Sequence, residues 1–163
     1  MCIRDRLKEQ GFNFDVMFTS ELKRAQNTGE IILEKLNEPN LATIKSINLN
    51  ERDYGDLTGM NKDEARAEFG EEQVHIWRRS YDVPPPGGES LKDTYDRVIP
   101  YFESDIMPEI NDSKNVLIAA HGNSLRSLVK FIEDLNETDI LKLEIATGEP
   151  IIYKFIDGRF TRA

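Results

Sequence analysis

The chain has 163 residues, enough for a single domain with a buried core. It is 39% hydrophobic and 31% charged, a globular balance that argues against wholesale disorder. A formal net charge of -9 with no basic stripe disfavours a nucleic-acid partner. It also obliges any anionic ligand to be gripped by a local cluster of cations and backbone amides. The lone cysteine, Cys2, has no partner for an internal disulfide. No apolar run approaches membrane-spanning length and no signal peptide is recognisable, so the expected partners exclude a membrane and the expected location is cytoplasmic.

In chain order, MCIRDRLKEQG reads as a short or partial helix ending at Gly11. An α/β domain would more usually open on a strand, so the first element is expected to be missing, the alternative being a fold that simply starts with a helix. DVMFTS (15–20) reads as a buried strand, and Ser20 as a cap for the helix that begins ELKRAQ. ATIKSINL (42–49) alternates like a strand. Asn61 with Glu64 forms a capping-box pattern for a helix that stops at Gly70. EEQVHIWRRSY continues as a second helix, broken by the stiff loop DVPPPGG. SLKDTYDRVIPYFESDIMPEI is a long helix, bent or restarted near Pro100. NVLIAAH (115–121) is apolar up to its last residue, as suits a central parallel strand covered on both faces. A helix follows from Asn123, and IIYKFI (151–156) makes a late strand. The alternation predicts one domain over 1–163: an α/β three-layer sandwich with a mostly parallel sheet flanked by helices.

Candidate chemistry starts with the two histidines. His121 ends an apolar strand and is followed by Gly122, Asn123, Ser124 and a helix. Ligands of open parallel sheets bind beyond the carboxyl ends of strands, where a helix amino terminus offers free N–H groups to an anion. Gly122 permits close backbone approach there. The strand-His-Gly-Asn-Ser-helix unit is therefore a phosphate-site candidate, against the alternative of a core histidine satisfied at a strand end. His75, between Val74 and Ile76 in a helix, reads as a surface or packing residue. Arg78 and Arg79 stand together just before a helix breaks. They suit a bidentate clamp on carboxylate and phosphate, or simply solvated cations at a helix carboxyl end. Arg24 lies in the first turn of a helix, where a cation opposes the dipole, and this hints at a ligand or ion pair. Glu51 opens the loop ERDYGDLTGMNK, a suitable place for a proton-transfer carboxyl and equally for a solvated loop residue. No cysteine-histidine cluster, Walker-type loop, dinucleotide-binding glycine loop or serine-centred elbow occurs.

Four segments in order, TSELKRA, ERDYGDLTGMNK, WRRSYDVPPPGGES and AAHGNSLR, resemble the cofactor-dependent phosphoglycerate mutases of the histidine phosphatase superfamily. The likeness runs from about Phe14 to Phe155. It implies a phosphoglycerate mutase-like fold with Glu51 as general acid/base and His121 as the second active-site histidine. It further implies Arg24, Tyr54, Lys62, Arg78, Arg79, Gly122 and Asn123 as substrate contacts. Two departures stand out. Asp53 occupies a position where many relatives carry histidine. No arginine-histidine-glycine segment, the family's nucleophile motif, is present. MCIRDR resembles nothing in the family, so 1–6 is expected to be a non-native leader on a sequence whose nucleophile-bearing strand is absent.

The resemblance implies interconversion of 3-phosphoglycerate and 2-phosphoglycerate in glycolysis and gluconeogenesis. The implied route is a phosphohistidine primed by 2,3-bisphosphoglycerate, without a metal, in a homodimer or homotetramer. The chain as given is expected to be inactive for want of that histidine. Two alternatives remain: a histidine-type phosphomonoesterase, which should lack the arginine-pair and proline-loop unit, and a non-catalytic phospho-ligand-binding module. The absent strand is expected to have been internal, leaving unpaired backbone edges and apolar surface.

Overall fold

A computed structural model of the chain describes residues 7–163; the expected leader at 1–6 lies outside the described residues. Three strands, β1 (Val16–Ser20), β2 (Thr43–Ser46) and β3 (Val116–Ala119), form a wholly parallel sheet in the order β2-β1-β3. All five residues of β1 are buried, because it is paired on both edges and covered on both faces. Side chains alternate across a strand, so β1 feeds two cores. Val16 and Phe18 pack with Leu49, Val98, Ile99, Phe102, Ile106 and Leu128. On the opposite face Met17 meets Leu33 and Ala119.

The helices complete the layers. Helix α1 (Lys23–Lys35) covers the Met17 face, and Gly29 lets it approach so closely that a Cβ there would lie 2.5 Å from Met17 Sδ. Helices α2 (Lys62–Phe69) and α3 (Glu71–Arg79) form a satellite pair whose own core joins Leu57, Ala65, Val74 and Trp77. Helix α4 (Leu91–Tyr101), a π-helical turn at Phe102–Ile106 and α5 (Met107–Asn111) cover the Phe18 face together with α6 (Gly122–Ile132). A short α7 (Glu137–Lys142) precedes the hairpin β4 (Tyr153–Ile156) and β5 (Arg159–Arg162).

Several sequence expectations hold in detail. The Asn61–Glu64 capping box forms and Gly70 ends α2 at φ 87°. The long helix after Ser90 restarts as expected, although Pro100 lies inside α4 and the irregular turn comes just after it. Two expectations need correction. Ser20 does not cap α1: the N-cap is Leu22, and Ser20 Oγ instead accepts the Leu22 N–H two residues on. Among the described residues the central strand is β1, whereas β3 is paired only with β1 and is partly buried. The expected apolar surface does occur, beside β3. A cavity of about 790 Å³ separates that strand from the β4–β5 hairpin, with Phe12, Phe14, Ile118, Ile152 and Phe160 in its wall.

Two loops meet backbone to backbone next to the sheet's carboxyl edge. Asp56 N–H donates to Pro86 O at 2.9 Å and Glu89 N–H to Asp53 O at 2.7 Å, which docks the proline loop on the loop that carries Glu51. Gly55 adopts φ 54°, and a Cβ on it would fall 2.2 Å from Pro86 O. Gly55→Ala should therefore destabilise the chain by about 1–3 kcal/mol through a collision that backbone cannot relieve cheaply. Gly59→Ala, at φ 82° with open space around it, should cost less, about 1 kcal/mol for the left-handed backbone alone. Urea titrations of both variants check the order.

Candidate active site

The parallel register of β1 and β3 sets Thr19 opposite Ala119, so both chains leave the sheet at one edge and Ser20 stands beside His121. Thr19 Oγ1 donates to Ala119 O at 2.6 Å and reinforces that register across the last pair. Ser20 Oγ and His121 Nε2 are 2.8 Å apart, both residues being buried. On the other side of the ring Arg24 Nε donates to His121 Nδ1 at 3.3 Å. Because Nδ1 accepts, the ring proton belongs on Nε2 and is donated to Ser20. Burial first, and the Arg24 guanidinium second, push the His121 pKa below its ordinary value, with Glu51 pulling the other way. The imidazole is accordingly neutral near pH 7.

Beyond His121 the chain turns straight into α6. Ser124 Oγ accepts the His121 N–H at 3.1 Å and closes the first turn. The N–H of Asn123 points out of this turn and meets Glu51 Oε1 at 3.0 Å. Oε1 also accepts the N–H of Arg52 at 2.9 Å. A carboxylate thus occupies the amino end of α6, where the unpaired N–H groups and the helix dipole favour negative charge. Gly122 lies against the same carboxyl: a Cβ there would be 3.7 Å from Glu51 Oε2. The Asn123 side chain continues the cluster, its Nδ2 donating to Tyr54 Oη at 3.0 Å and its Oδ1 accepting from Arg126 Nη1 at 3.3 Å.

Six of the nine residues singled out by resemblance therefore gather at one edge: Arg24 bonded to His121, Glu51 and Tyr54 bonded to Asn123, and Gly122 between them against the Glu51 carboxyl. Arg78 and Arg79 end α3 with exposed side chains. Arg79 is near enough to add to the lowered basicity of Arg126, which is caused first by burial. Lys62, the first residue of α2, is exposed. Among the described residues neither Lys62 nor Arg78 hydrogen bonds to the group. His75 is exposed on α3, away from it. The apolar cavity beside β3 includes none of these nine residues, and its wall offers little to neutralise an anion.

Sequence reasoning missed four polar residues here. Ser20 was read as a cap rather than as the partner of His121. Arg52 is buried, with Nη2 on Trp77 O at 3.0 Å, Nε on Glu89 O at 2.6 Å and its guanidinium 5.2 Å over the Tyr54 ring. Arg126 stands three residues beyond Asn123 on α6, a spacing legible in the sequence. Arg97 reaches the Glu51 loop from α4, and nothing local in the sequence signals that.

A family model described as histidine phosphatase superfamily (branch 1) matches residues 2–162. The chain belongs to the histidine phosphatase superfamily. A curated relative from Bradyrhizobium sp. (strain ORS 278), named 2,3-bisphosphoglycerate-dependent phosphoglycerate mutase, is 60% identical over 149 residues, covering 91% of this chain and 72% of its own length. A phosphoglycerate mutase of Schizosaccharomyces pombe is 59% identical over 157 residues, 96% of this chain and 74% of that protein. Among solved structures, an alpha-ribazole phosphatase from Shigella flexneri superposes with a TM-score of 0.79 at 19% identity, covering 99% of this chain and 78% of that one. At that identity the likeness shows the histidine phosphatase fold alone. The two relatives near 60% identity carry the finer kinship, to the phosphoglycerate mutases.

Two outcomes test the histidine phosphatase site. Ser20→Ala strands the His121 Nε2 proton and the Leu22 N–H, and should cost about 1–3 kcal/mol in denaturant titrations. Because the folded pKa of His121 is depressed, its share of stability is fully present above the unfolded value of about 6.5. That share is lost as pH falls from there through the folded value, since the unfolded chain then binds the extra proton. Melting temperature should drop between about pH 7.5 and 5.5, and His121→Gln should flatten that slope.

Proposed function

We propose that this chain recognises a three-carbon phospho-carboxylate, 3-phosphoglycerate or 2-phosphoglycerate. Its residues serve the interconversion of the two, for which 2,3-bisphosphoglycerate is the phosphoryl primer. The observation that carries the reading is that Glu51 meets the Asn123 N–H of α6 at the sheet edge where Arg24 meets His121. A carboxylate beside a cation and a helix amino terminus matches a reaction in which a phosphoryl dianion is held and a hydroxyl proton moves.

The division of labour follows from the chemistry of each group. Arg24 supplies a guanidinium fork for the phosphoryl oxygens, and Gly122, without a side chain, lets the anion approach the helix terminus. His121 adds a ring N–H and gains basicity once a dianion lies beside it. Glu51 carries the proton between the substrate hydroxyl and the transferring oxygen, its Oε1 steadied by two backbone N–H groups while Oε2 faces Gly122. Arg78, Arg79, Lys62 and Tyr54 bind the carboxylate end, from α3, the amino end of α2 and the loop below them. Crossing the open space from the exposed α2–α3 pair requires long cationic side chains, and arginine and lysine provide them.

The 163 residues contain two histidines, His75 and His121, and no arginine-histidine-glycine segment. We therefore assign to this chain ligand capture without formation of a phosphohistidine. The relatives' glycolytic role makes the cytoplasm its place of action, and no helix among the described residues is long and apolar enough to cross a membrane. A phosphomonoesterase reading draws on the solved phosphatase of the same fold. The Arg78–Arg79 pair and the proline loop docked on the Glu51 loop favour the mutase reading over it.

Calorimetric titration of the 163-residue chain tests this directly. 3-Phosphoglycerate should bind at least about tenfold more tightly than inorganic phosphate, the carboxylate adding one charge-assisted contact. Arg24→Ala should weaken it by about tenfold to a hundredfold. Labelled 2,3-bisphosphoglycerate should leave no acid-labile phosphate on the chain. Equal affinity for the two anions, or a stoichiometric label on either histidine, sinks the assignment.

A further inference from the structure

Glu51 lies in a stretch, 51–54, that has neither helical nor sheet hydrogen bonding. Apart from the Arg52 N–H on its Oε1, nothing in the local backbone holds its carboxylate against α6. The support comes from α4. Arg97 donates from Nη1 to Asn48 O at 2.7 Å, and from Nη2 to Asn50 O at 3.0 Å and to Glu51 O at 3.1 Å. Three carbonyls of one loop are gathered by one guanidinium. It also bonds Glu89, Nε to Oε1 at 2.7 Å and Nη2, shared with the loop carbonyls, to Oε2 at 2.9 Å. Glu89 Oε2 accepts in turn from Asp53 N–H at 3.0 Å. The pair thus grips the chain on both sides of Glu51, by carbonyls before and at it and by an N–H two residues after it.

The pair is built as a unit. Both side chains are only about a quarter exposed, at 23% and 25%. Burial alone would raise the Glu89 pKa, but hydrogen bonds from Arg97 and from the Asp53 N–H hold it below the usual carboxylate value. The Glu89 backbone joins in, its N–H donating to Asp53 O and its O accepting from Arg52 Nε. Helix α4 does not depend on the pair for its place, since Val98, Ile99 and Tyr101 anchor it in the main core. The fork geometry matters: a planar guanidinium spans several carbonyls and a carboxylate at once, and an ammonium cannot.

We propose that Arg97, together with Glu89, is the positioning residue of the site, fixing the Glu51 main chain so that its carboxylate meets the amino terminus of α6. The importance of that placement rests on the proton-carrier role given to Glu51 above. The placement itself does not, and the two can be tested apart.

Site-resolved amide hydrogen exchange on the whole chain reads the placement without any ligand. The N–H groups of Asn123 and Arg52 report it, because both donate to Glu51 Oε1. In Arg97→Gln and Glu89→Gln they should exchange on the order of tenfold faster, measured relative to the β1 amides that report global unfolding. Arg97→Lys should recover less than half of the lost protection. A merely structural role would move the β1, Asn123 and Arg52 amides together. Should Arg97→Gln fail to fold, Glu89→Gln, which keeps shape and loses charge, decides alone. Selective loosening together with weaker 3-phosphoglycerate binding supports both ideas. Selective loosening with unchanged affinity supports the positioning role and counts against the ligand reading. Unchanged relative exchange of Asn123 and Arg52 in both variants overturns the positioning role, whatever the ligand does.

Discussion

The short contact between Ser20 and His121 is possible only because β1 and β3 run side by side in the same direction. Two segments about a hundred residues apart in the chain end at the same height, so Ser20, the last residue of β1, reaches His121, two residues beyond β3. Antiparallel pairing would have sent those two ends to opposite edges of the sheet. The rest of the site is arranged around this meeting. Arg24 follows Ser20 by one turn of chain and faces the ring from its free side. Helix α6 must start immediately after His121, and its unpaired N–H groups open onto the same edge.

Opposed charges are what make such an arrangement sustainable in an acidic protein. The cations Arg24, Arg52, Arg97 and Arg126 converge around Glu51 and Glu89, and two of them are set into the interior rather than left in water. Burial lowers the basicity of Arg52 and Arg126, yet both remain charged because arginine starts so far above neutral pH. Carbonyl oxygens take up part of the lost hydration, Trp77 and Glu89 for Arg52 and Ile140 for Arg126, whose buried Nε has no partner among the described residues. The result is a locally positive patch on a chain whose overall charge is -9. An anion is drawn to that patch and repelled elsewhere.

Division between rigid and irregular parts follows the same logic. His121 and Ser20 sit at strand ends in the main core, where little movement is available. Glu51 and Tyr54 sit on a loop that has no sheet or helix of its own and borrows rigidity from the proline loop and from α4. Arg78, Arg79 and Lys62 ride on the satellite helix pair, which has its own small core of Leu57, Ala65, Val74 and Trp77. That pair is joined to the sheet domain through Arg52 and the docked loops, so the groups on it are the least constrained of the candidates.

Periodicity and local caps were legible in the sequence: the Asn61–Glu64 box, the stop at Gly70, the apolar strand ending in His121 and the helix beyond it. These depend on contacts within a few residues, so the information is local. The second strand of the terminal hairpin was missed although Asp157-Gly158, both at positive φ, carries the turn signal. Which strand lies in the middle of the sheet was not legible, because VLIA is the more apolar of the two yet VMFTS is the one paired on both edges, and only pairing partners distinguish them. Nor was the fate of Ser20, whose hydroxyl has a local acceptor role and a long-range partner 101 residues away. Residue types and their order determined the family and the candidate groups. The tertiary structure decided which of them touch, because parallel pairing and the forks of Arg52 and Arg97 act between segments that no local pattern connects.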